Sequence, residues 1–451
     1  MNDSRETIFA LSSGAGRAGV AVFRISGPET AHVVKKMSGT LPAPRRAAFR
    51  LIKDPHSGEV IDSGLVIWFP GPNSFTGEDL AEFQIHGSLA VAQKLLAVLQ
   101  SFEGCRAALP GEYARRAFMN NKLDLTEIEG LADLIDAETE QQRKLAIRQA
   151  EGELSRKVDG WRERLVHSLA ILEAYLDFPE EDELAEREIE DNVTLAVREL
   201  RDEIASCLRD NRTAERIRDG VRVVIAGPPN SGKSTLLNAL AKRDVAIVSD
   251  IAGTTRDVME VHLDLGGFPV VLVDTAGIRE TVDEIEREGV RRANRQIEAA
   301  DVVISMQDAA DMKSDFDSRA KPSTLLVASK WDLVESNPQQ YGNSGSFEPI
   351  QEIIRLSVRT GQGLETLLDR LEGLAKALCG GGDTLLSRVR HRDALNDCRE
   401  SLERYLSEPE KPIELRAEDL RLAVHGLGRI TGRVDVEDLL DVIFRDFCIG
   451  K

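Results

Sequence analysis

The sequence predicts a multidomain chain of α+β and α/β class, in which a doubly wound α/β domain is inserted into a helical one behind an N-terminal α+β domain. Three observations predict it. The chain has 451 residues, more than one hydrophobic core organises. An apolar run, Val221 to Ala226, ends in a Gly-rich turn that opens a helix, and helical spacing of apolar residues appears both before and after that region. The expected boundaries are 1–119 for the N-terminal domain, 120–217 and 384–451 for the two helical parts, and 218–383 for the insertion.

Composition limits the partners. With 42% hydrophobic and 30% charged residues the chain has the balance of a soluble globular protein, and its net charge of −19 argues against wholesale nucleic-acid binding through a basic surface. The cysteines, Cys105, Cys207, Cys379, Cys398 and Cys448, are scattered and odd in number, which fits a reducing compartment. No apolar run is long enough to span a membrane, and the start, Met1 to Glu6, lacks a basic segment followed by an apolar core. A cytoplasmic protein with no membrane attachment is expected.

The N-terminal α+β reading rests on short apolar runs broken by Gly and Pro: Val20–Phe23, Leu65–Phe69 and Leu80–Ile85 as strands. Apolar positions at three- and four-residue spacing predict helices over Glu29–Met37 and Leu89–Phe102. At Asp124 the texture changes. Asp124-Leu125-Thr126-Glu127 resembles a capping box, and helical patterns run to about Asp177 and again over Val193–Asp210. The acidic stretch Phe178–Asp191 between them reads as a solvated connection. Parallel strands are expected at Val221–Ala226, Val270–Val273, Val302–Met306, Thr324–Ala328 and Ile353–Leu356. After the break Cys379-Gly380-Gly381-Gly382-Asp383, helices are expected over Leu385–Leu406, Ala417–Leu427 and Val436–Phe447.

The chemistry concentrates in the insertion. Gly227-Pro228-Pro229-Asn230-Ser231-Gly232-Lys233-Ser234, followed by Thr235, has the G-x-x-x-x-G-K-S form of a phosphate cradle. Its backbone N–H groups and the positive end of the following helix converge on one anion, Lys233 reaches the β- and γ-phosphates, and Ser234 ligates Mg²⁺. Asp274-Thr275-Ala276-Gly277 ends a later strand, with a carboxylate near Mg²⁺ and a glycine N–H near the γ-phosphate. Ser329-Lys330-Trp331-Asp332 resembles N-K-x-D, whose Asp reads guanine N1 and N2; Asp332 keeps that carboxylate, whereas Ser329 stands where the pattern has Asn. Ser357-Val358-Arg359 resembles the S-A-K base loop. The first three of these stretches, in order at strand ends, indicate a P-loop GTPase domain that binds GTP.

Small GTPases with a water-orienting Gln carry it directly after D-x-x-G, and here that position is Ile278, which cannot orient water. A polar group among Arg279, Glu280, Asp283, Glu284 and Glu286 must serve instead. No arginine finger is identifiable. Asn230, with the polar loop Ser249-Asp250-Ile251-Ala252-Gly253-Thr254-Thr255-Arg256-Asp257, offers oxygens to a monovalent ion beside the phosphates, and Thr255 is the candidate second Mg²⁺ ligand.

At this point the chain resembles the MnmE (TrmE) family of tRNA-modification GTPases over essentially its whole length. The resemblance rests on Gly253-Thr254-Thr255-Arg256-Asp257, Phe75-Thr76-Gly77-Glu78-Asp79, Pro110-Gly111-Glu112, Asn121-Lys122-Leu123-Asp124-Leu125 and the terminus Phe447-Cys448-Ile449-Gly450-Lys451. It implies a folate-binding N-terminal domain that also dimerises, a helical domain built from both sides of the insertion, and GTPase domains that pair when K⁺ binds. By motif, K⁺ falls to Asn230, Ser249, Ile251 and Thr254, Mg²⁺ to Ser234 and Thr255, and the catalytic carboxylate to Glu286. A site for 5-formyl- or methylene-tetrahydrofolate falls to Arg24, Glu82 and Lys122, with Lys451 nearby; an anionic glutamyl tail suits Arg or Lys, and a pterin edge suits a carboxylate.

Cys448 is either a nucleophile, if neighbouring cations lower its pKa, or a small buried anchor for the tail. Arg388, Arg390, His391 and Arg392 form the densest local basic cluster, open to tRNA phosphates or simply a solvated helix start. The implied role is a homodimeric GTPase that, with the FAD-dependent partner MnmG in a heterotetramer, adds an aminomethyl or carboxymethylaminomethyl group at C5 of the wobble uridine of certain tRNAs, with folate supplying the one-carbon unit. The rivals are a ribosome-assembly-type GTPase switch without modification chemistry, and a folate-dependent methyl transferase in which GTP is structural.

Overall fold

The computed structural model describes residues 6–177, 183–209, 212–243, 245–247, 260–274, 294–311, 323–336, 353–380 and 385–434, together with 440, 443, 444 and 450. Two compact units emerge: Met1–Ala132, Ala150–His167 and Arg421–Lys451 form one, and Asp133–Gln149 with Ser168–Leu420 the other.

In the first unit, strands β1 (Thr7–Leu11), β2 (Ala18–Ser26), β3 (Ala48–Lys53), β4 (Val60–Phe69), β5 (Leu80–Gly87) and β6 (Cys105–Ala107) form one sheet in the order β3-β4-β5-β2-β1-β6. Neighbours are antiparallel except β1 and β6. Alternation along the strands makes one face apolar. Phe23 pairs with Phe83 and Ile25 with Ala81 across the β2–β5 ladder. These residues pack on Val33, Val34 and Met37 of α1 (Thr30–Ser38) and on Leu95, Val98 and Leu99 of α2 (Leu89–Gln100). Residues one step along the same strands face the other way, so Arg24 and Glu82 stand side by side on the opposite face.

Helices α3 (Glu112–Met119), α4 (Leu125–Asp136), α5 (Glu140–Ala150), α6 (Glu153–Asp177) and α7 (Glu183–Leu208) follow. The expected capping box is present: the Asp124 carboxylate accepts from Thr126 N and Glu127 N at 2.8 and 3.0 Å, and Glu127 accepts from Asp124 N at 2.9 Å. The acidic stretch is not wholly a connection, however. Helix α7 begins at Glu183, ten residues before the expected start, because Glu, Leu, Ala and Arg are good helix formers and acidic residues suit a helix N-terminus.

The second unit carries the inserted domain. A short helix α8 (Thr213–Asp219) leads into β7 (Val221–Ala226), α9 (Lys233–Leu240), β8 (Glu260–Leu265), β9 (Phe268–Asp274), β10 (Val302–Asp308), β11 (Thr324–Ser329), α10 (Trp331–Ser336), β12 (Ile353–Arg355) and α11 (Leu364–Cys379). The sheet order is β12-β11-β10-β7-β9-β8. It is mixed, not all parallel: β8 runs antiparallel to β9 at the edge. The sequence reading missed β8 because Glu-Val-His-Leu-Asp-Leu is a half-polar alternation and not the continuous apolar run of a strand buried on both faces. Strand order reverses between β7 and β10, which places the mouth of a ligand crevice at the C-terminal end of β7.

Helices α12 (Val389–Ser407) and α13 (Ile413–Thr431) follow the insertion. Helix α12 packs on α7, and the Gln149 amide donates to Leu385 O at 2.9 Å and to Ser387 Oγ at 2.7 Å, joining chain on either side of the inserted domain. The basic cluster at the start of α12 is largely consumed by internal partners. Arg388 pairs with Asp133 at 2.7 Å, Arg392 pairs with Glu215 at 2.9 Å, and His391 is fully buried. The helix expected over Val436–Phe447 lies mostly outside the described residues.

Phe83 is fully buried between the sheet and its two helices. Phe83→Ala is expected to cost about 3–5 kcal/mol through lost burial and the cavity left behind. Urea unfolding followed by far-ultraviolet circular dichroism should show an earlier first transition; an unchanged profile would mean that this ring does not hold the sheet to its helices.

Candidate functional site

The phosphate side of the crevice is built by β7, the loop after it, and α9. Gly227 has φ of +155°, and a Cβ there would lie 2.1 Å from Met306 O on the neighbouring strand, so only glycine lets the loop leave the sheet here. Asn230 is exposed and left-handed, with φ of +63°. Gly232 caps α9, so that Lys233, Ser234 and Thr235 form its first turn. The Lys233 ammonium is buried and donates to Gly227 O and Pro228 O, both at 2.9 Å, so it is held inside the cradle it would serve. Burial lowers its pKa, and the charge of Asp274 works the other way. Pairing of Ile225 with Asp274 in the β7–β9 ladder brings Asp274 beside the cradle, where it is 3% exposed and accepts from Ser234 Oγ at 2.6 Å.

The base side lies at the ends of β11 and β12. Ser329 is buried, and its hydroxyl sits 2.7 Å from Ser231 O and 2.9 Å from Gln307 O. It therefore ties the base loop to the phosphate loop, in the place where the family pattern has Asn. The next residue, Lys330, is left-handed at φ +55°, and its ammonium pairs with Asp308 at 2.8 Å. Asp332 accepts from Ser357 Oγ at 2.7 Å on one oxygen and from Arg359 Nε at 3.0 Å on the other. The Ser357 hydroxyl first, and the Arg359 charge with it, holds the Asp332 carboxyl below the usual carboxylate range. A cavity of about 350 Å³ opens here, lined by Gly232, Thr235, Met306, Lys330, Asp332 and Val358 among others. An ionised, oriented carboxylate can accept from two adjacent N–H groups, as guanine presents at N1 and N2 and adenine does not.

The opposite face of the N-terminal sheet carries a second cavity, of about 610 Å³. Arg24, Glu82 and Lys122, which the sequence reading grouped, all line it. Arg24 Nη2 is 3.0 Å from Glu82 Oε1, and the guanidinium lies over the rings of Phe75 and Tyr113 at 5.5 and 5.8 Å. Tyr113 also fixes the backbone, donating its hydroxyl to Arg24 O at 2.7 Å.

The motifs singled out in the N-terminal half converge around this cavity. Glu78 accepts from Ser26 Oγ and from Arg116 Nη1, each at 2.9 Å, Arg116 also pairs with Glu112 at 3.0 Å, and the Asn120 amide donates to Thr76 O at 2.7 Å. These bonds hold the loop that presents Asn73, Ser74 and Phe75 to the cavity. The sequence reading missed Arg45, Phe69 and Asn73 as lining residues: no motif marks Pro-Ala-Pro-Arg-Arg, Phe69 reads there only as the end of a strand, and only the fold brings the three to this face. In the same unit Gly450 lies against the end of β1: Ser12 Oγ donates to Gly450 O at 2.9 Å, and a Cβ on Gly450 would lie 2.4 Å from Leu11 O.

Several expected residues lie outside the described ones: Ser249, Asp250, Ile251, Ala252, Gly253, Thr254, Thr255, Thr275, Ala276, Gly277, Glu286, Cys448 and Lys451. Among the described residues, no helix is long and apolar enough to cross a membrane.

Comparison with known proteins agrees with this geometry. Residues 7–122 match the family described as the GTP-binding protein TrmE N-terminus, and residues 125–448 match the MnmE helical domain. The tRNA modification GTPase MnmE of Methylobacterium radiotolerans is 48% identical over 451 residues, covering 100% of both chains. That of Parvibaculum lavamentivorans is 50% identical, covering 99% of this chain and 100% of its own. The mitochondrial 5-taurinomethyluridine tRNA synthase subunit GTPB3 of Homo sapiens is 47% identical, over 99% of this chain and 94% of its own. The chain therefore belongs to the MnmE (TrmE) family of tRNA-modification GTPases.

Proposed function

We propose that this chain is a potassium-dependent GTPase which, as a homodimer and with MnmG, adds a carboxymethylaminomethyl or aminomethyl group at C5 of the wobble uridine of certain tRNAs in the cytoplasm, using a tetrahydrofolate as one-carbon donor. The observation that carries this reading is the presence in one chain of a guanine-type crevice and a separate cavity where an Arg24–Glu82 pair faces Lys122. A simple nucleotide switch has no use for the second cavity. The names of its relatives, which modify tRNA or make 5-taurinomethyluridine, support a uridine in tRNA as the target.

In the crevice, Lys233 exchanges its two loop carbonyls for phosphate oxygens, and the N–H groups of the loop and of the first turn of α9 take the rest of the charge. Asp332 selects guanine. Ser234 and Asp274 suit Mg²⁺, since a hydroxyl and a buried carboxylate already in contact form a hard oxygen pair. When bound, Mg²⁺ neutralises charge between the β- and γ-phosphates. For K⁺, exposed Asn230 is the described member of the assigned set, and the other members are assigned by resemblance alone. K⁺ there supplies the positive charge that other GTPases take from an arginine finger. Glu286, assigned in the same way, orients the attacking water in place of the Gln that Ile278 replaces.

In the second cavity, Glu82 suits the N–H edge of a pterin, Phe75 its apolar face, and Lys122 the glutamyl tail. Cys448 is proposed to act from the tail that Gly450 anchors.

The direct test of the modification is nucleoside analysis of bulk tRNA after deletion of the gene and complementation. The wobble uridine should lose its C5 substituent on deletion and fail to regain it with Cys448→Ser; a nucleoside profile that deletion leaves unchanged would refute the function. Potassium is tested by steady-state hydrolysis. Replacing K⁺ with Na⁺ at equal ionic strength should slow turnover about a hundredfold, the scale of a lost transition-state charge partner, and equal rates would remove K⁺ from the mechanism. Ser329→Ala leaves Ser231 O without this donor, a loss of about 1–3 kcal/mol. GDP titration should show weaker binding by about tenfold, with Ser329→Asn recovering it; unchanged affinity for the Ala variant would show that the tie between loops is idle.

A further inference from the structure

The cavity on the N-terminal sheet holds a cation that neither its motifs nor its relatives assign. Arg45 lines the cavity from the loop before β3, a different segment from those that carry Arg24, Glu82 and Lys122. It is held unusually well for an exposed arginine. Its backbone N–H donates to Trp68 O at 2.8 Å, and its φ is +60°. Its guanidinium lies 5.7 Å over the Phe69 ring, and Nη2 donates to Asn73 O. Stacking and one hydrogen bond fix the plane of the fork, while its remaining N–H groups stay available to an acceptor.

The charges of the cavity decide what that acceptor is. Arg24 and Glu82 neutralise each other at 3.0 Å. Among the described residues, neither Lys122 nor Arg45 has an ion-pair partner, so the cavity wall carries two uncompensated cations. One carboxylate would satisfy only one of them. A cavity of about 610 Å³ has the size of a site for a cofactor-sized molecule, and its apolar wall of Phe69, Phe75 and Leu80 suits an aromatic head.

We propose that Arg45 is a second carboxylate-binding residue, so that the cavity takes a pteridine whose tail carries two carboxylates, that is, a glutamylated form, and discriminates against the tail-less pteroate. This rests on the folate reading above and adds its tail specificity. Lys122 meets one tail carboxylate as a point charge, and Arg45 meets the other through its planar fork.

The test is calorimetric titration of the full-length protein with 5-formyltetrahydrofolate and with 5-formyltetrahydropteroate, which ends in a single benzoate carboxylate. Wild type should bind the glutamylated ligand more tightly by about tenfold or more, the scale of one charge-assisted bidentate contact. Arg45→Gln should lose most of that preference while still binding the tail-less ligand, whose binding shows that the cavity is folded, and Arg45→Lys should recover part of it. If wild type binds both ligands equally, or if Arg45→Gln keeps the full preference, the role of Arg45 is overturned and the folate site stands. If wild type binds neither ligand, the folate reading itself falls.

Discussion

One hydroxyl joins the two halves of the nucleotide crevice. Ser329 bridges the end of β11 to Ser231 O in the phosphate loop, so the base side and the phosphate side of the crevice are tied directly to each other. The bridge works because it is buried: with no water to replace it, the Ser231 carbonyl would lose its only described side-chain donor. An Asn at this position brings two N–H donors, whereas Ser brings one proton for two carbonyls, Ser231 O and Gln307 O. The departure from the usual pattern therefore keeps the connection and weakens it. Its shorter reach is met by close packing, since the same β7–β10 contact leaves no room for a Cβ at Gly227.

Much of this was legible in the sequence because the responsible signals are local. A strand, a Gly-rich turn and the start of a helix within fourteen residues, Val221 to Ser234, fix the cradle, and Asp274 lands beside Ser234 because the β7–β9 register puts it there. The same holds for Asp124 and Glu127, whose reciprocal capping bonds are set by three-residue spacing. Strand β8 was missed for a non-local reason: it is polar on one face because it closes the sheet at an edge. The early start of α7 has a local one, since good helix formers and acidic residues together suit a helix N-terminus. Arg45 could not be found at all from the sequence: nothing in its neighbours marks it, and its place in a cavity follows from the path of the loop before β3.

The N-terminal cavity shows how scattered motifs become one object. Glu78 lies in the loop before β5 and Glu112 and Arg116 one turn apart on α3, yet they form a linked set of ion pairs whose effect is to hold the loop carrying Asn73, Ser74 and Phe75. Arg116 and Glu112 are both under a tenth exposed, and each keeps a second partner, Glu112 pairing also with Arg106 at 2.7 Å and Arg116 with Glu78 at 2.9 Å, so every buried charge of the set is held by more than one bond. Motif residues here support the cavity loop from behind, while the cavity-lining groups, Arg24, Glu82, Lys122 and Arg45, differ in kind: one compensated pair and, among the described residues, two cations without an ion-pair partner.

That division explains how a chain of net charge −19 can take anionic ligands. Its overall field repels them, so attraction must come from short-range features that screening leaves intact. In the crevice these are loop N–H groups, the start of α9 and a lysine kept inside its own loop; the proposed folate cavity offers two cations that no acid among the described residues neutralises. The start of α12 is the counterexample. Arg388 and Arg392 look like a phosphate site in the sequence, but Asp133 and Glu215 have already claimed them, and a paired guanidinium exchanges one anion for another at little net gain. In this chain the number of basic residues in a stretch says little about where anions bind; what matters is whether an acid of the same fold reaches them first.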